Sequence, residues 1–212
     1  PVMKGKSVYG PGDTAFVNMQ GTPVSLTLLN TDKYTTPLLV TACYQYETSA
    51  SGNICIDPDP RSVTTKDKVC TPKDVSLGTQ GAPVAVSTVK LESSPGTTRF
   101  TIQVQNVGRG QPFKPGVQYL AKCSPHDQQG LAYNELGYVQ IMDVRVADMS
   151  IIASCRPLDN GNLRLGTGGG SLYCQYDHIT GNTAYVTPIV VKLRYGYKET
   201  LRQDITIVQS GR

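Results

Sequence analysis

Apolar and polar side chains alternate along most of this chain, in short bursts separated by Gly, Pro and Asn. A period of two is the signature of a half-buried β-strand, because successive side chains point to opposite faces. The bursts predict strands over Val24–Leu29, Leu38–Tyr46, Asn53–Ile56, Val84–Leu91, Arg99–Val107, Tyr138–Val146, Asn162–Leu165, Ser171–Tyr176, Tyr185–Tyr197 and Leu201–Val208. Helical periodicity is nearly absent, with one turn expected near Asp127–Leu136. Many short strands bounded by turn residues predict an all-β sandwich of immunoglobulin-like type.

One pattern recurs. Thr36-Pro-Leu-Leu-Val-Thr-Ala-Cys-Tyr-Gln-Tyr46 aligns with Thr187-Pro-Ile-Val-Val-Lys-Leu-Arg-Tyr-Gly-Tyr197 at an offset of 151, and Ile54 and Ile56 align with Ile205 and Ile207 at the same offset. Read as two copies of one hairpin, this predicts two tandem immunoglobulin-like β-sandwich units. In the first hairpin a Cys43–Cys55 pair would set Tyr44 opposite Ile54 and Ala42 opposite Ile56. The same register in the second sets Tyr195 opposite Ile205 and Leu193 opposite Ile207. The expected division is a partial unit over residues 1–58, a Pro-containing linker over 59–80 and a complete sandwich over 81–212. A unit that short lacks strands, either because the chain begins partway through it or because a strand from elsewhere completes it. Asp57-Pro-Asp-Pro60 makes the linker's start stiff and extended.

The six cysteines, Cys43, Cys55, Cys70, Cys123, Cys155 and Cys174, form an even set with no C-x-x-C spacing. In a strand-rich chain this predicts three disulfides and an oxidising compartment, hence an extracellular or cell-surface location. Besides Cys43–Cys55, the expected pairs are Cys70–Cys123 and Cys155–Cys174, the latter clipping the Asp159-Asn-Gly-Asn162 turn to a neighbouring strand. No apolar run approaches a membrane span, and Pro1 is not followed by a leader pattern, so the expectation is that any anchor lies outside this chain.

Composition narrows the function classes. Charged residues make up 17% and the net charge is +4, with Lys and Arg diluted by Asp and Glu in the two densest groups, 66–73 and 192–202. No basic stripe for nucleic acid stands out. There are 12 Tyr, 3 Phe and no Trp, which suits strand faces with one wet edge.

Candidate chemistry is sparse. Cys123-x-x-His126 and Cys174-x-x-x-His178 have zinc-like spacing, but a zinc site there would leave Cys70 and Cys155 unpaired. Gly166-Thr-Gly-Gly-Gly-Ser171 lacks the Lys and the following helix of a phosphate loop and reads as a hairpin loop. Asp57, Asp59 and Asp159 could share a calcium ion, although Asp-Pro-Asp-Pro is by itself a turn. With two histidines and no nucleophile elbow, no catalytic set emerges, and no cofactor is expected.

The runs Val40-Thr-Ala-Cys-Tyr-Gln-Tyr-Glu-Thr48, Ile54-Cys-Ile-Asp-Pro-Asp-Pro60, Cys70-Thr-Pro-Lys-Asp-Val-Ser-Leu77, Gly81-Ala-Pro-Val84, Ile102-Gln-Val-Gln-Asn-Val-Gly108, Ala184-Tyr-Val-Thr-Pro188 and Leu193-Arg-Tyr-Gly-Tyr197 resemble a group of uncharacterised surface proteins of small-genome, host-associated archaea, of woesearchaeal and pacearchaeal type. The resemblance implies an externally facing protein, anchored to the membrane upstream, of which this chain is the C-terminal portion. It implies no catalytic or cofactor-binding residue. The expected function is a non-enzymatic subunit or stalk of a cell-surface filament, sheath or coat, self-associating or joining other surface proteins, with strand addition as one route. The alternative is an adhesion ectodomain that engages a host cell or glycan through loops such as 108–116 and 123–130.

Overall fold

The structure is a computed structural model, described here for residues 3, 5, 10–18, 20, 31–62, 68–177 and 183–208. The strand expected at Val24–Leu29 and the histidine His178 lie outside the described residues. The described residues are mostly β, in two antiparallel sheets. The strands are β1 (Lys33–Ile56), β2 (Val75–Ser76), β3 (Val84–Ser94), β4 (Thr97–Asn106), β5 (Gln111–Phe113), β6 (Tyr138–Val146), β7 (Met149–Ser150), β8 (Asn162–Arg164), β9 (Gly170–Asp177) and β10 (Tyr185–Val208). One short helix, α1 (Val117–Lys122), follows β5. The expected turn at 127–136 is therefore displaced, because Leu136 is drawn into a bridge with Phe113 and holds that segment extended at its end.

One sheet runs β1-β10-β6-β7, with β5 on β10 and β8 on β6; the other runs β2-β3-β4-β9. The second sheet owes its inner face to alternation. Along β4, Thr98, Phe100, Ile102 and Val104 are all buried. A register shift between Val86 and Thr88 lets Val84, Val86 and Val89 of β3 all face inward. These pack with Val139, Ile141, Val144 and Val146 of β6 and with Ile189, Val191 and Leu193 of β10. The chain crosses between the sheets after β8 through Gly166-Thr-Gly-Gly, where Gly166 and Gly169 exchange both backbone hydrogen bonds. Gly169 adopts φ +97°, and a Cβ there would press on the Val104 carbonyl, so only glycine fits.

The principal correction concerns the repeat. Its two copies are not two hairpins. Each of β1 and β10 is one continuous strand of 24 residues, and the two pair with each other along their full length. Tyr44 faces Tyr197, Tyr46 faces Tyr195, Ile54 faces Thr187 and Thr36 faces Ile205. The offset of 151 converts each of these pairs into another one: Tyr44–Tyr197 into Tyr195–Tyr46, and Ile54–Thr187 into Ile205–Thr36. The repeat is therefore a local two-fold relation within one ribbon, centred on the pair Gln45–Gly196. Ile54 and Ile56 share a core with Val84 to Leu193, so residue 58 does not separate two cores.

The disulfide pairing follows from the same fact. Cys43 and Cys55 lie twelve residues apart on one strand, about 40 Å at the strand rise, far beyond disulfide reach. Cys43 instead bonds Cys123 and Cys55 bonds Cys70, with Cα–Cα distances of 6.2 and 5.9 Å; Cys155–Cys174 forms as expected. The Asp159–Asn162 turn near it is a two-residue hairpin turn with positive φ at Asn160 and Gly161.

Cys43–Cys123 closes 80 residues, and loop-closure entropy gives it about 4.5 kcal/mol. Replacing both sulfurs (Cys43→Ser with Cys123→Ser) is expected to lower unfolding free energy by about 4 kcal/mol. Urea titration of wild type and double variant measures this directly; a change under 1 kcal/mol would show that the bridge braces nothing.

Candidate functional site

The β1–β10 ribbon divides at its centre. From Thr48 and Leu193 to Ile56 and Tyr185 it belongs to the sandwich, with its even β1 and odd β10 positions turned to the core: Ala50, Ile54, Ile56, Ile189, Val191 and Leu193 are buried. From Lys33 to Ala42 and Glu199 to Val208 the ribbon continues as a two-stranded arm. Neither strand of the arm pairs with any other described strand. Ten residues at the antiparallel rise make it about 34 Å long.

The arm's two faces differ in chemistry. The face continuous with the core carries Tyr34, Thr36, Leu38, Val40 and Ala42 from β1 and Leu201, Ile205 and Ile207 from β10, interrupted by Gln203 and by Glu199 at the base. The opposite face carries Lys33, Pro37, Arg202 and Asp204, with Leu39 and Val208 among them. Thr35 and Thr41 there join Thr206 and Thr200 through cross-strand hydroxyl hydrogen bonds of 3.2 and 3.1 Å. One face thus satisfies its polar groups within the ribbon. The other is an apolar stripe in water, with Leu201 65%, Leu38 46%, Tyr34 44% and Ile205 38% exposed. The counterparts that lie over the second sheet are not: Ile54, the counterpart of Ile205, and Ile189, the counterpart of Leu38, are at 1% and 0%, whereas Tyr185, the counterpart of Tyr34 at the ribbon's other end, is 37% exposed.

Where the arm leaves the sandwich, four tyrosines, Tyr44, Tyr46, Tyr195 and Tyr197, pack on the core-side face with ring centroids 5.8 to 6.3 Å apart. Two of them close polar rings on the second sheet. The Val84 N–H donates to the Tyr195 hydroxyl, which donates to Thr48 Oγ1, which donates to the Val84 carbonyl. The Gly110 N–H donates to the Tyr197 hydroxyl, which donates to Asn106 Oδ1, while Asn106 Nδ2 donates to the Gly110 carbonyl. On the other side of the ribbon, Gly196 leaves room for the Phe113 ring, against which any Cβ would clash. Cys43–Cys123 fastens α1's end to the same region. The base of the arm is therefore clamped on both faces.

No family model, curated protein or solved structure matches the chain.

The remaining candidates are not brought together. Cys123 and Cys174 are oxidised, which removes the thiolates that zinc would need. Asp57 is neutralised by Lys68 at 2.7 Å and also accepts the Asp59 N–H, while Asp159 accepts and donates within its own turn. Among the described residues no group of three His, Cys, Asp or Glu side chains could hold a metal ion. Sequence reasoning missed the arm because Leu38, Val40, Leu201 and Ile205 read as hairpin core. The signal was present: strand parity allows the two repeat copies to pair with each other as readily as within themselves.

Burial, aided by Glu199, pushes the Tyr44 hydroxyl up to about 12, and burial with a hydrogen bond to Tyr176 does the same for Tyr185. Burial also raises Tyr195 and Tyr197. A phenol raised in the folded state above its unfolded value near 10 keeps its proton while the unfolded chain loses one. Its contribution is complete below pH 10 and is lost as pH rises from there toward 12. Urea midpoints should therefore be flat from pH 7 to 9 and fall between pH 10 and 12. Tyr195→Phe would strand the buried Val84 N–H, costing about 1–3 kcal/mol at pH 7, and would flatten part of the alkaline fall.

Proposed function

We propose that this chain is a non-enzymatic extracellular structural protein, a subunit or stalk of a cell-surface assembly such as a filament, sheath or coat. The observation that carries this reading is the arm. A two-stranded ribbon is marginally stable alone in water, and exposed strand edges with a bare apolar face are features that monomeric proteins suppress. Here the arm is instead clamped by two polar rings and a disulfide. A device held that firmly with its apolar face open is built to be covered by another molecule.

Two further features support the reading. The disulfides fit an oxidising, extracellular compartment. The low charge of the chain, 17% charged residues, favours side-by-side packing over mutual repulsion. The sandwich itself we read as immunoglobulin-like, with the tandem reading replaced by one body and one arm. The resemblance to anchored archaeal surface proteins points to the same location.

An adhesion role draws support from a separate feature. The Arg164 guanidinium lies over the rings of Tyr133 and Tyr138, at 5.0 and 5.8 Å, and Tyr133 is 78% exposed. A shallow cavity of about 240 Å³ is lined by Tyr138 and Arg164 of this group. Aromatic rings beside polar groups suit a sugar face.

Sedimentation velocity over a wide concentration range, followed by electron microscopy of the concentrated protein, tests the leading reading. Concentration-dependent growth into ordered polymers is expected. A monodisperse monomer at every concentration would refute it, and saturable glycan binding lost in Tyr133→Ala would then favour adhesion.

A further inference from the structure

We infer that the apolar face of the arm is covered by the same face of the arm of a second copy of this chain, the two arms running antiparallel to each other. The inference rests on the assembly reading and names its partner and contact.

The ribbon's own two-fold relation favours this contact. The core half and the arm half present equivalent side chains on one face: Ile54 and Ile205, Ile56 and Ile207, Ile189 and Leu38, Val191 and Val40. In the core half a second β layer covers that face, with Val84, Val86, Ile102 and Val104 in one cluster with Ile54, Ile189 and Val191. The arm half has the same pattern of side chains with no second layer among the described strands. What fits it is another apolar β face at the usual sheet spacing of about 10 Å.

Charge favours it too. The arm holds Lys33 and Arg202 against Glu199 and Asp204 and is neutral. Lys33, Arg202 and Asp204 all sit on the far face, where Arg202 and Asp204 approach to 3.6 Å. Only Glu199, at the base, shares the apolar face. Two such faces meet without like-charge repulsion along their length, which a basic or acidic partner would not exploit.

Geometry sets the direction of the arms. The second sheet stands on the apolar side of the ribbon at the body. A partner whose body lay at the same end would collide with it, so the partner's body must sit beyond the arm's tip. Antiparallel arms follow, related by a two-fold axis through the middle of the stripe, at the pair Leu38–Gln203. Face-to-face arms cover about 700 Å², taking two faces of about 34 by 10 Å. That is on the order of half a standard interface, so the contact is reversible and concentration-dependent; being two-fold it joins two copies, and growth beyond the pair uses a further surface of the body. Edge pairing by β1 is hindered at Pro37, which has no N–H to offer an incoming strand. The face has no such guard.

The test uses charge placed at the axis. Leu38→Glu and Leu38→Lys, each alone, set like charges against each other across the two-fold axis and should weaken self-association at least tenfold by sedimentation velocity. Mixed one to one, the two variants should recover association to within a few-fold of wild type, because Glu now meets Lys. Leu39→Glu, on the far face and 63% exposed, should leave association within two-fold. Leu38 is 46% exposed, so thermal midpoints of all three should stay near wild type, which separates loss of contact from loss of fold. Unchanged association in both Leu38 variants would overturn the inference, and so would loss in each without recovery in the mixture, since the arm would then meet a different surface. Either result leaves the assembly reading standing if wild type still polymerises. A wild type that stays monomeric overturns both.

Discussion

The pairing of β1 with β10 is the constraint from which the rest of the structure follows. Twenty-four consecutive residue pairs share one register, and strand side chains alternate with a period of two. The sandwich core requires Ile54, Ile56, Ile189, Val191 and Leu193 on one face. Once that half of the ribbon is set, the register leaves no freedom in the other half. Leu38, Val40, Leu201 and Ile205 must emerge on the same side, beyond the reach of the second sheet. The exposed stripe is thus no packing defect. It is the continuation of the core pattern past the point where the core ends, and the same interaction that stabilises the body orients the arm.

The reinforcement is concentrated where the ribbon passes from one regime to the other. Tyr195 and Tyr197 each close a ring of hydrogen bonds onto the backbone of neighbouring strands and turns, so their burial leaves no polar group in those rings unmatched. Cys43–Cys123 grips the ribbon from the opposite face, and Gly196 admits Phe113 beside it. Cys55–Cys70 and Cys155–Cys174 serve the body, tying the segment after β1 to that strand and the turn before β8 to β9. A chain with few charged residues gains little from surface ion pairs; the exposed Arg194–Glu47 contact illustrates the kind that contributes a few tenths of a kcal/mol. Covalent closure and buried tyrosine networks carry that burden instead.

Much of the body was legible in the sequence. Tyr138–Val146 is a strand with the expected bounds, the bursts at 84–91, 99–107, 162–165 and 171–176 each became a strand, and the Asp159–Asn162 turn and Cys155–Cys174 formed where local spacing put them. These are short-range features, governed by neighbours in the chain. What alternation could not reveal was the partner of each strand. The segments Leu38–Tyr46 and Asn53–Ile56 have an intervening Ser-Ala-Ser-Gly that reads as a turn, yet Ala50 is core and Gly52 receives the Leu77 side chain, so the strand runs through. Glu199-Thr200 misled in the same way between Tyr197 and Leu201. With each false turn removed, both hairpins open into strands, and Cys43–Cys55 becomes impossible. Strands β2, β5 and β7, of two or three residues, leave no period to detect.

The symmetry of the ribbon also bears on which surface of its open half is selective. A bare β edge accepts any extended chain, because backbone hydrogen bonding is independent of sequence, whereas a face selects its partner by shape and side-chain pattern. Pro37 removes a donor from the β1 edge, and the far face sets Leu39 and Val208 among threonine pairs and Lys33, Arg202 and Asp204. Those features leave the apolar stripe as the most selective surface of the arm. A stripe that repeats the pattern of the protein's own core is best matched by a surface bearing that pattern too, and the surface bearing it at equal concentration wherever the protein is found is the arm of another copy.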